Sequence, residues 1–113
     1  MTGKDFQKLF LEAVDEAFSS LGDSAKQSIY FHLETRFSMR RDEIPNRLED
    51  FENGLEKIFG AGTKFLEILI MKKLYELMEP KRRTMKWNED KEFKFIDYVK
   101  ASEQSFYKKK MKP

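Results

Sequence analysis

Residues 65–71 read Phe65-Leu66-Glu67-Ile68-Leu69-Ile70-Met71, and this stretch decides the fold of the chain. It lies inside a predicted helix that runs from Thr63 to Met78 and stops before Pro80, because proline cannot continue a helix. Apolar side chains occupy nearly every side of that helix, so it must be covered from several directions. In a chain of 113 residues, we expect a second subunit to supply part of the cover. The predicted contact residues of this homodimer are Phe65, Ile68, Leu69, Met71 and Tyr75.

Three further helices are predicted ahead of this one. In the first, apolar residues over positions 6–21 recur at the three-and-four spacing of one helical face, and Gly22 follows where a left-handed cap residue is expected. The second helix should reach about Phe37. A charged connection over residues 39–43 then leads to Ile44-Pro45, which favours the first turn of a third helix. Asn53-Gly54 should weaken this third helix, because an interior glycine costs about 1 kcal/mol relative to alanine.

The C-terminal third supplies a fifth predicted helix. Asn88 is a suitable N-cap, and the helix should extend from there to about Tyr107. Its apolar stripe consists of Phe93, Ile96, Val99 and Phe106, with Phe95 and Tyr98 beside it. No segment shows the period-two alternation of a strand. The sequence therefore predicts an all-α fold, a compact bundle of about five helices. Residues 1–79 form the helical core domain, and residues 80–113 form a basic C-terminal helix and tail packed on the same domain.

The amino-acid composition limits the classes of protein to which this chain can belong. Eleven Phe, four Tyr and one Trp supply large side chains for a small core. The absence of cysteine excludes disulfides, thiolate zinc sites and cysteine nucleophiles. Residues 1–5 lack the apolar run of a signal peptide, and the apolar run at 65–71 is far shorter than the roughly 18 residues that a membrane span requires. We therefore expect a cytoplasmic protein without a membrane span.

Charge is distributed unevenly along the chain, although the formal net charge is only +2. Residues 1–79 hold 11 basic and 15 acidic side chains, whereas residues 80–113 hold 11 basic and 5 acidic ones. The candidate contacts for an anion or a nucleic acid are Lys81, Arg82, Arg83, Lys86 and Trp87. Cations release counterions from phosphates and an aromatic ring can stack on a base, so nucleic acid is the alternative partner. No helix-turn-helix, zinc-finger or RNA-recognition signature accompanies them. The preferred interpretation is a basic tail that is solvated or docks on the acidic body of its own chain.

Two motifs invite a catalytic interpretation, and each has a simpler structural one. Ser28 and His32 lie one helical turn apart, but no acid is placed to orient the histidine, so a packed histidine is favoured. Residues 60–64 superficially resemble a phosphate-binding loop. The true signature needs Gly-Lys followed by Ser or Thr after a strand, whereas here Thr63 precedes Lys64 and a helix comes first. The glycines are therefore expected to form a helix–helix joint.

Glu49, Glu52 and Glu56 lie on one face of the third helix. Such carboxylates could bind a hard cation if a second chain supplied more oxygen ligands. A solvated acidic face is the commoner arrangement, and we expect it here. With no nucleophile–base pair and no set of metal ligands, we predict no enzymatic activity, no metal and no cofactor. The chain is expected to bind another protein instead.

A resemblance to a known family adds context. Residues about 24 to 79 contain the segments Ser28-Ile29-Tyr30-Phe31-His32-Leu33-Glu34, Arg41-Asp42-Glu43-Ile44-Pro45 and Leu55-Glu56-Lys57-Ile58-Phe59-Gly60-Ala61-Gly62. In this order they resemble the archaeal Nitrosopumilus output domain family, whose members occur alone or as output modules of signal transduction. The resemblance covers about half of the chain and includes no catalytic motif. It implies a helical fold, an archaeal source and a role in signalling.

Overall fold

The computed structural model of the protein describes residues 2–78 and 94–111. Over these ranges the chain forms α1 (Thr2–Ser19), α2 (Asp23–Phe37), a 3₁₀ segment (Arg41–Asn46), α3 (Leu48–Phe59), a 3₁₀ segment (Gly60–Gly62), α4 (Thr63–Met78) and α5 (Phe95–Met111). The described ranges contain no β-strand. The predicted all-α fold is thereby confirmed, and the homodimer stays a prediction.

The central helix of the bundle is α1. It packs most closely against α4 and also contacts α2, α5 and the first 3₁₀ segment. Its predicted stripe is buried almost throughout, at Phe6, Phe10, Ala13, Val14, Ala17 and Phe18. Leu21, the predicted last member, lies beyond the end of the helix and is exposed. Gly22 follows with a φ of 110°, which glycine adopts without steric strain.

Helices α2 and α3 approach each other closely at Gly54. A Cβ atom at this position would lie 2.9 Å from Leu33 Cδ2 and 3.5 Å from Phe37 Cδ2. The glycine was expected only to weaken α3, and the structure adds that its missing side chain makes room for the neighbouring helix. Burial of Leu33 and Leu55 at this crossing offsets the helix-propensity cost.

The connection between α2 and α3 belongs to the core, which corrects the expectation of a merely charged link. Ser38 ends α2 in the left-handed conformation, with a φ of 52°. The Met39 N–H then donates to the carbonyl of Leu33 at 3.0 Å and turns the chain inward. Met39 and Ile44 are consequently buried. Pro45 lies in the 3₁₀ segment rather than in the first turn of α3, so the predicted start of that helix was too early.

Helix α5 docks with a face that is rotated from the predicted one. Phe95 and Val99 are buried, whereas Ile96, predicted to lie in the stripe, is only half-buried. The helix also continues past its predicted end. Asn88 and Phe93, the predicted cap and first stripe residue, lie outside the described residues.

Aromatic rings form a continuous chain through the core. Successive ring centroids are 5.3 Å apart for Tyr30–Phe18, 6.4 Å for Phe18–Phe51, 6.1 Å for Phe51–Phe95, 6.3 Å for Phe95–Phe10, 6.5 Å for Phe10–Phe6 and 5.8 Å for Phe6–Phe106. We call these seven residues the aromatic chain. It joins α1, α2, α3 and α5. Ring pairs at such separations contribute about 0.5–1.5 kcal/mol beyond the burial of their surface.

Phe51→Ala should strongly destabilise the fold, because it opens a cavity between Phe18 and Phe95. We expect the free energy of unfolding to fall by about 3–5 kcal/mol in urea titrations. Phe31→Ala is the matched control, since Phe31 is 62% exposed and its truncation should change the stability by no more than about 0.5 kcal/mol. Equal effects of the two changes would contradict this account of the core.

Candidate functional site

Helix α4 is asymmetric in its burial. Leu66, Ile70 and Leu74 are buried in the bundle. On the opposite side Phe65 is 61% exposed, and Ile68 and Leu69 are half-buried at the edge of the core. We call Phe65, Ile68 and Leu69 the outer face of α4. Large contiguous apolar patches mark surfaces that contact other proteins, and the outer face of α4 is the apolar surface of this helix that the core leaves uncovered.

Two further residues of α4, Met71 and Tyr75, were predicted to lie at the interface. Met71 is only 3% exposed and belongs to the core of its own chain, so it has almost no surface to offer a partner. Tyr75 is half-buried and lies near Tyr98 of α5. The predicted anion or nucleic-acid contacts, Lys81, Arg82, Arg83, Lys86 and Trp87, fall outside the described residues.

A tight joint, which we call the elbow, connects α3 to α4 through residues 60–63. Gly60 has a φ of 58°, a conformation that side chains disfavour. The buried Thr63 hydroxyl donates to the carbonyl of Leu55 at 3.0 Å and so fixes the start of α4 to the last turns of α3. The glycines therefore serve the helix–helix joint that the sequence predicted.

Three glutamates interact next to the elbow, two from α3 and one from α4. Glu52 and Glu56 project from α3, and Glu67 projects from α4. Burial, the hydrogen bond with Glu52 and the charges of Glu52 and Glu56 together raise the pKa of Glu67 to about 8. At neutral pH the Glu67 carboxyl therefore keeps its proton and can act as a hydrogen-bond donor.

Sequence reasoning missed this carboxyl pair. It placed Glu52 on a solvated face together with Glu49 and Glu56, and the structure leaves Glu49 and Glu56 exposed but brings Glu52 against Glu67. The sequence did contain one indication of this pair, because Glu67 is a charged residue inside the otherwise apolar run 65–71. Within residues 2–78 and 94–111, no group of three or more acidic or histidine side chains has a geometry suited to a metal ion.

A second polar cluster ties the N-terminal half together. The Tyr30 hydroxyl donates to Asp15 Oδ1 at 2.5 Å. Arg41 donates two hydrogen bonds to the same carboxylate, from Nε to Oδ1 at 3.0 Å and from Nη2 to Oδ2 at 2.5 Å. These three residues come from α1, α2 and the first 3₁₀ segment. We call them the Asp15 cluster.

The electrostatics of the Asp15 cluster favour the ionised carboxylate. Burial alone would raise the pKa of Asp15, but the hydrogen bonds from Arg41 and Tyr30 outweigh it and hold the pKa below its ordinary value. Burial and the hydrogen bond to Asp15 raise the pKa of Tyr30, so its hydroxyl stays protonated. A tyrosine in this state is a hydrogen-bond donor and not a base. The cluster is therefore suited to holding helices together rather than to moving protons.

His32 lies apart from the cleft that the structure forms between α3 and α5. The Nδ1 atom of His32 is buried and has no hydrogen-bond partner among the described residues, and the ring lies beside Phe31 with centroids 5.7 Å apart. A shallow cleft lies between the start of α3 and α5. Its lining includes Arg47, Asp50, Ile96 and Lys100 but not His32. Arg47 is already paired with Asp50 at 3.1 Å, so the cleft offers no unpaired cation to an anionic ligand from that side chain.

Comparisons with known proteins identify no relative of this chain. No family model matches the chain, and neither the curated proteins nor the solved structures include a significant match. Among the described residues, every helix is too short or too polar to cross a lipid bilayer. A functional conclusion must therefore come from the surfaces of the molecule itself.

Asp15→Asn should remove the charge that Tyr30 and Arg41 share, and we expect it to lower the free energy of unfolding by about 1 kcal/mol at neutral pH. The pKa of Asp15 in the folded state lies below the ordinary Asp pKa of 3.8. The ionised carboxylate therefore stabilises the fold above pH 3.8, and this stabilisation is lost as the pH falls below that value. The difference in the free energy of unfolding between wild type and Asp15→Asn should therefore shrink as the pH falls. Urea unfolding at several pH values measures this.

The control is Glu12→Gln, which removes an exposed carboxylate from the same helix. The free energy of unfolding of Glu12→Gln should stay close to that of wild type at every pH. If Asp15→Asn behaved like Glu12→Gln, the Asp15 cluster would have no stabilising role.

Proposed function

We propose that this protein is a non-enzymatic helical interaction module that acts as a homodimer through the outer face of α4. The observation that carries the proposal is Phe65, a large apolar side chain that is 61% exposed on a helix whose segment 65–71 is apolar except for Glu67. Burying an exposed phenylalanine stabilises a complex by about 1.5–3 kcal/mol. A second copy of α4 offers a surface of the same apolar chemistry.

The geometry of the outer face suits a symmetric contact. Phe65, Ile68 and Leu69 are spaced by three and four residues, so they form one strip along the helix. In a two-fold dimer the same strip serves both subunits, and Phe65 of each copy packs near the aliphatic residues of the other. Neighbouring residues must complete the contact, because stable interfaces bury about 1,200–2,000 Å² in total.

The wider role that we propose is a signalling output. The support is the resemblance of residues about 24 to 79 to the archaeal Nitrosopumilus output domain family. The dimer would then present its remaining surface to a protein partner whose identity is unknown. We propose a cytoplasmic location, since the chain has no cysteine for the disulfides that stabilise many small secreted domains.

Phe65→Glu should convert the dimer into a folded monomer, because it places a charge in an apolar contact without disturbing the core. Light scattering coupled to size exclusion gives the mass, and circular dichroism checks that the helices are kept. Phe65→Glu is a sharper probe than Leu69→Glu, since Leu69 also packs on the core. The matched control is Phe31→Glu on α2, where the replaced side chain is 62% exposed.

Two outcomes would contradict the proposal. A wild-type protein with the mass of a monomer over the micromolar range would remove the homodimer. Dissociation by Phe31→Glu but not by Phe65→Glu would move the interface from α4 to α2.

Nucleic-acid binding is the alternative function, and the excess of basic residues over positions 80–113 favours it. Binding through phosphates weakens steeply with salt, whereas apolar association does not. If the interaction module is correct, fluorescence anisotropy with short DNA and RNA should show no tight binding at about 50 mM salt. Tight binding that weakens at about 200 mM salt would favour the alternative, provided that changing Lys81, Arg82 and Arg83 to Ala abolishes it.

A further inference from the structure

Asn53 and Gly54 lie in the middle of α3, where this helix approaches α2. Asn53 is exposed to solvent and Gly54 is buried. A Cβ atom at position 54 would lie 2.9 Å from Leu33 Cδ2, so the packing of the two helices requires glycine there. The fold therefore keeps an asparagine directly before a glycine. This pair is chemically reactive, because glycine has no side chain to hinder the approach of its backbone nitrogen to the Asn53 amide.

The reaction open to this pair is deamidation. The backbone nitrogen of Gly54 attacks Cγ of Asn53 and closes a cyclic succinimide. The Cγ–Nδ2 bond breaks, and Nδ2 leaves as ammonia with the proton that the Gly54 nitrogen gives up. Water then opens the ring at one of its carbonyl groups. Opening at the former backbone carbonyl leaves an isoaspartate linkage, in which the main chain runs through the former side chain and gains a methylene group.

The folded helix opposes the first step of this reaction. Inside α3 the Gly54 N–H donates to the carbonyl of Asp50, and the helical backbone angles do not let this nitrogen reach its attack position on Asn53 Cγ. Phe51 and Leu55, on either side of the pair, are fully buried, and Phe51 belongs to the aromatic chain. Opening α3 around Asn53 therefore exposes part of the core, which makes the reactive conformation rare in the folded protein.

We propose that Asn53-Gly54 is a deamidation site that the packing of α3 against α2 protects, and that isoaspartate formation at this site prevents the chain from refolding. The added methylene group lengthens the main chain between Phe51 and Leu55. These two side chains can then no longer both reach their places in the core. The site does not require self-association, because every group in it belongs to one chain.

Peptide mapping by mass spectrometry tests the protection. It compares the conversion of Asn53 in folded protein and in protein held in concentrated urea at the same mildly alkaline pH. We expect conversion to be at least about tenfold faster in urea, because the helix no longer restrains the pair. Asn46 is the internal control, since it is exposed in the folded protein and precedes Arg47 instead of a glycine. Equal rates for Asn53 in the two conditions, or a rate in urea no higher than that of Asn46, would overturn the proposal.

Refolding tests the consequence and separates the lengthened backbone from the new charge. Protein deamidated in urea is diluted into buffer, and its isoaspartate form is isolated by chromatography. Circular dichroism then compares this form with Asn53→Asp, which gains the same carboxylate without the extra methylene group.

Asn53→Asp should keep a Tm close to that of wild type. Position 53 is exposed, and Glu49 and Lys57, one helical turn away on either side, act on the added charge in opposite directions. The isoaspartate form should lose helix content and melt at least about 10 °C lower, because its core residues are displaced. If its melting curve matched that of Asn53→Asp, α3 would tolerate the lengthened backbone and the proposal would be wrong.

Discussion

Packing between aromatic rings joins four of the five described helices of this bundle. With 37% of its residues charged, the chain has few apolar side chains for its length, and it compensates with large ones. The aromatic chain begins at Tyr30 on α2, passes along α1 and α3, and reaches α5 at Phe95 and Phe106. Phe18 and Phe10 lie about two turns apart on α1, and Phe51 and Phe95 close the path between them. On α1, α3 and α5, a ring of the aromatic chain lies between two others, and Tyr30 joins α2 to the end of the chain.

The helices that could be predicted from the sequence are those whose apolar residues repeat without ambiguity. Helix α4 has the predicted bounds, and α2 ends at the predicted Phe37. Helix α5 was harder, because aromatic or aliphatic residues at positions 93, 95 and 96 point in different directions around a helix. Periodicity cannot decide which of them faces the core, and the answer depends on where Phe10 and Phe51 leave space. Met39 was missed for a related reason, since a single apolar residue in a charged connection has no periodic neighbours.

The candidate site was predictable in part. The apolar character of α4 implied a partner, and the structure shows that the chain itself covers Leu66, Ile70, Met71 and Leu74. Only a three-dimensional arrangement could separate these residues from Phe65, because hydrophobicity alone does not distinguish a core from an interface. The Asp15 cluster was not foreseeable, since its members are 15 and 26 positions apart and come from different elements. Their meeting depends on how α1 crosses α2.

The pairing of α1 with α4 has a consequence for synthesis on the ribosome. Helix α1 packs most extensively against α4, which follows more than forty residues later in the chain. The contacts of Phe6 and Phe10 with α5 form between residues that are still farther apart in sequence. Loop-closure entropy delays such distant contacts relative to those between neighbouring helices. The apolar stripe of α1 is therefore translated well before the helices that cover it. During that interval the nascent chain presents to the cell the same phenylalanines that later form its core.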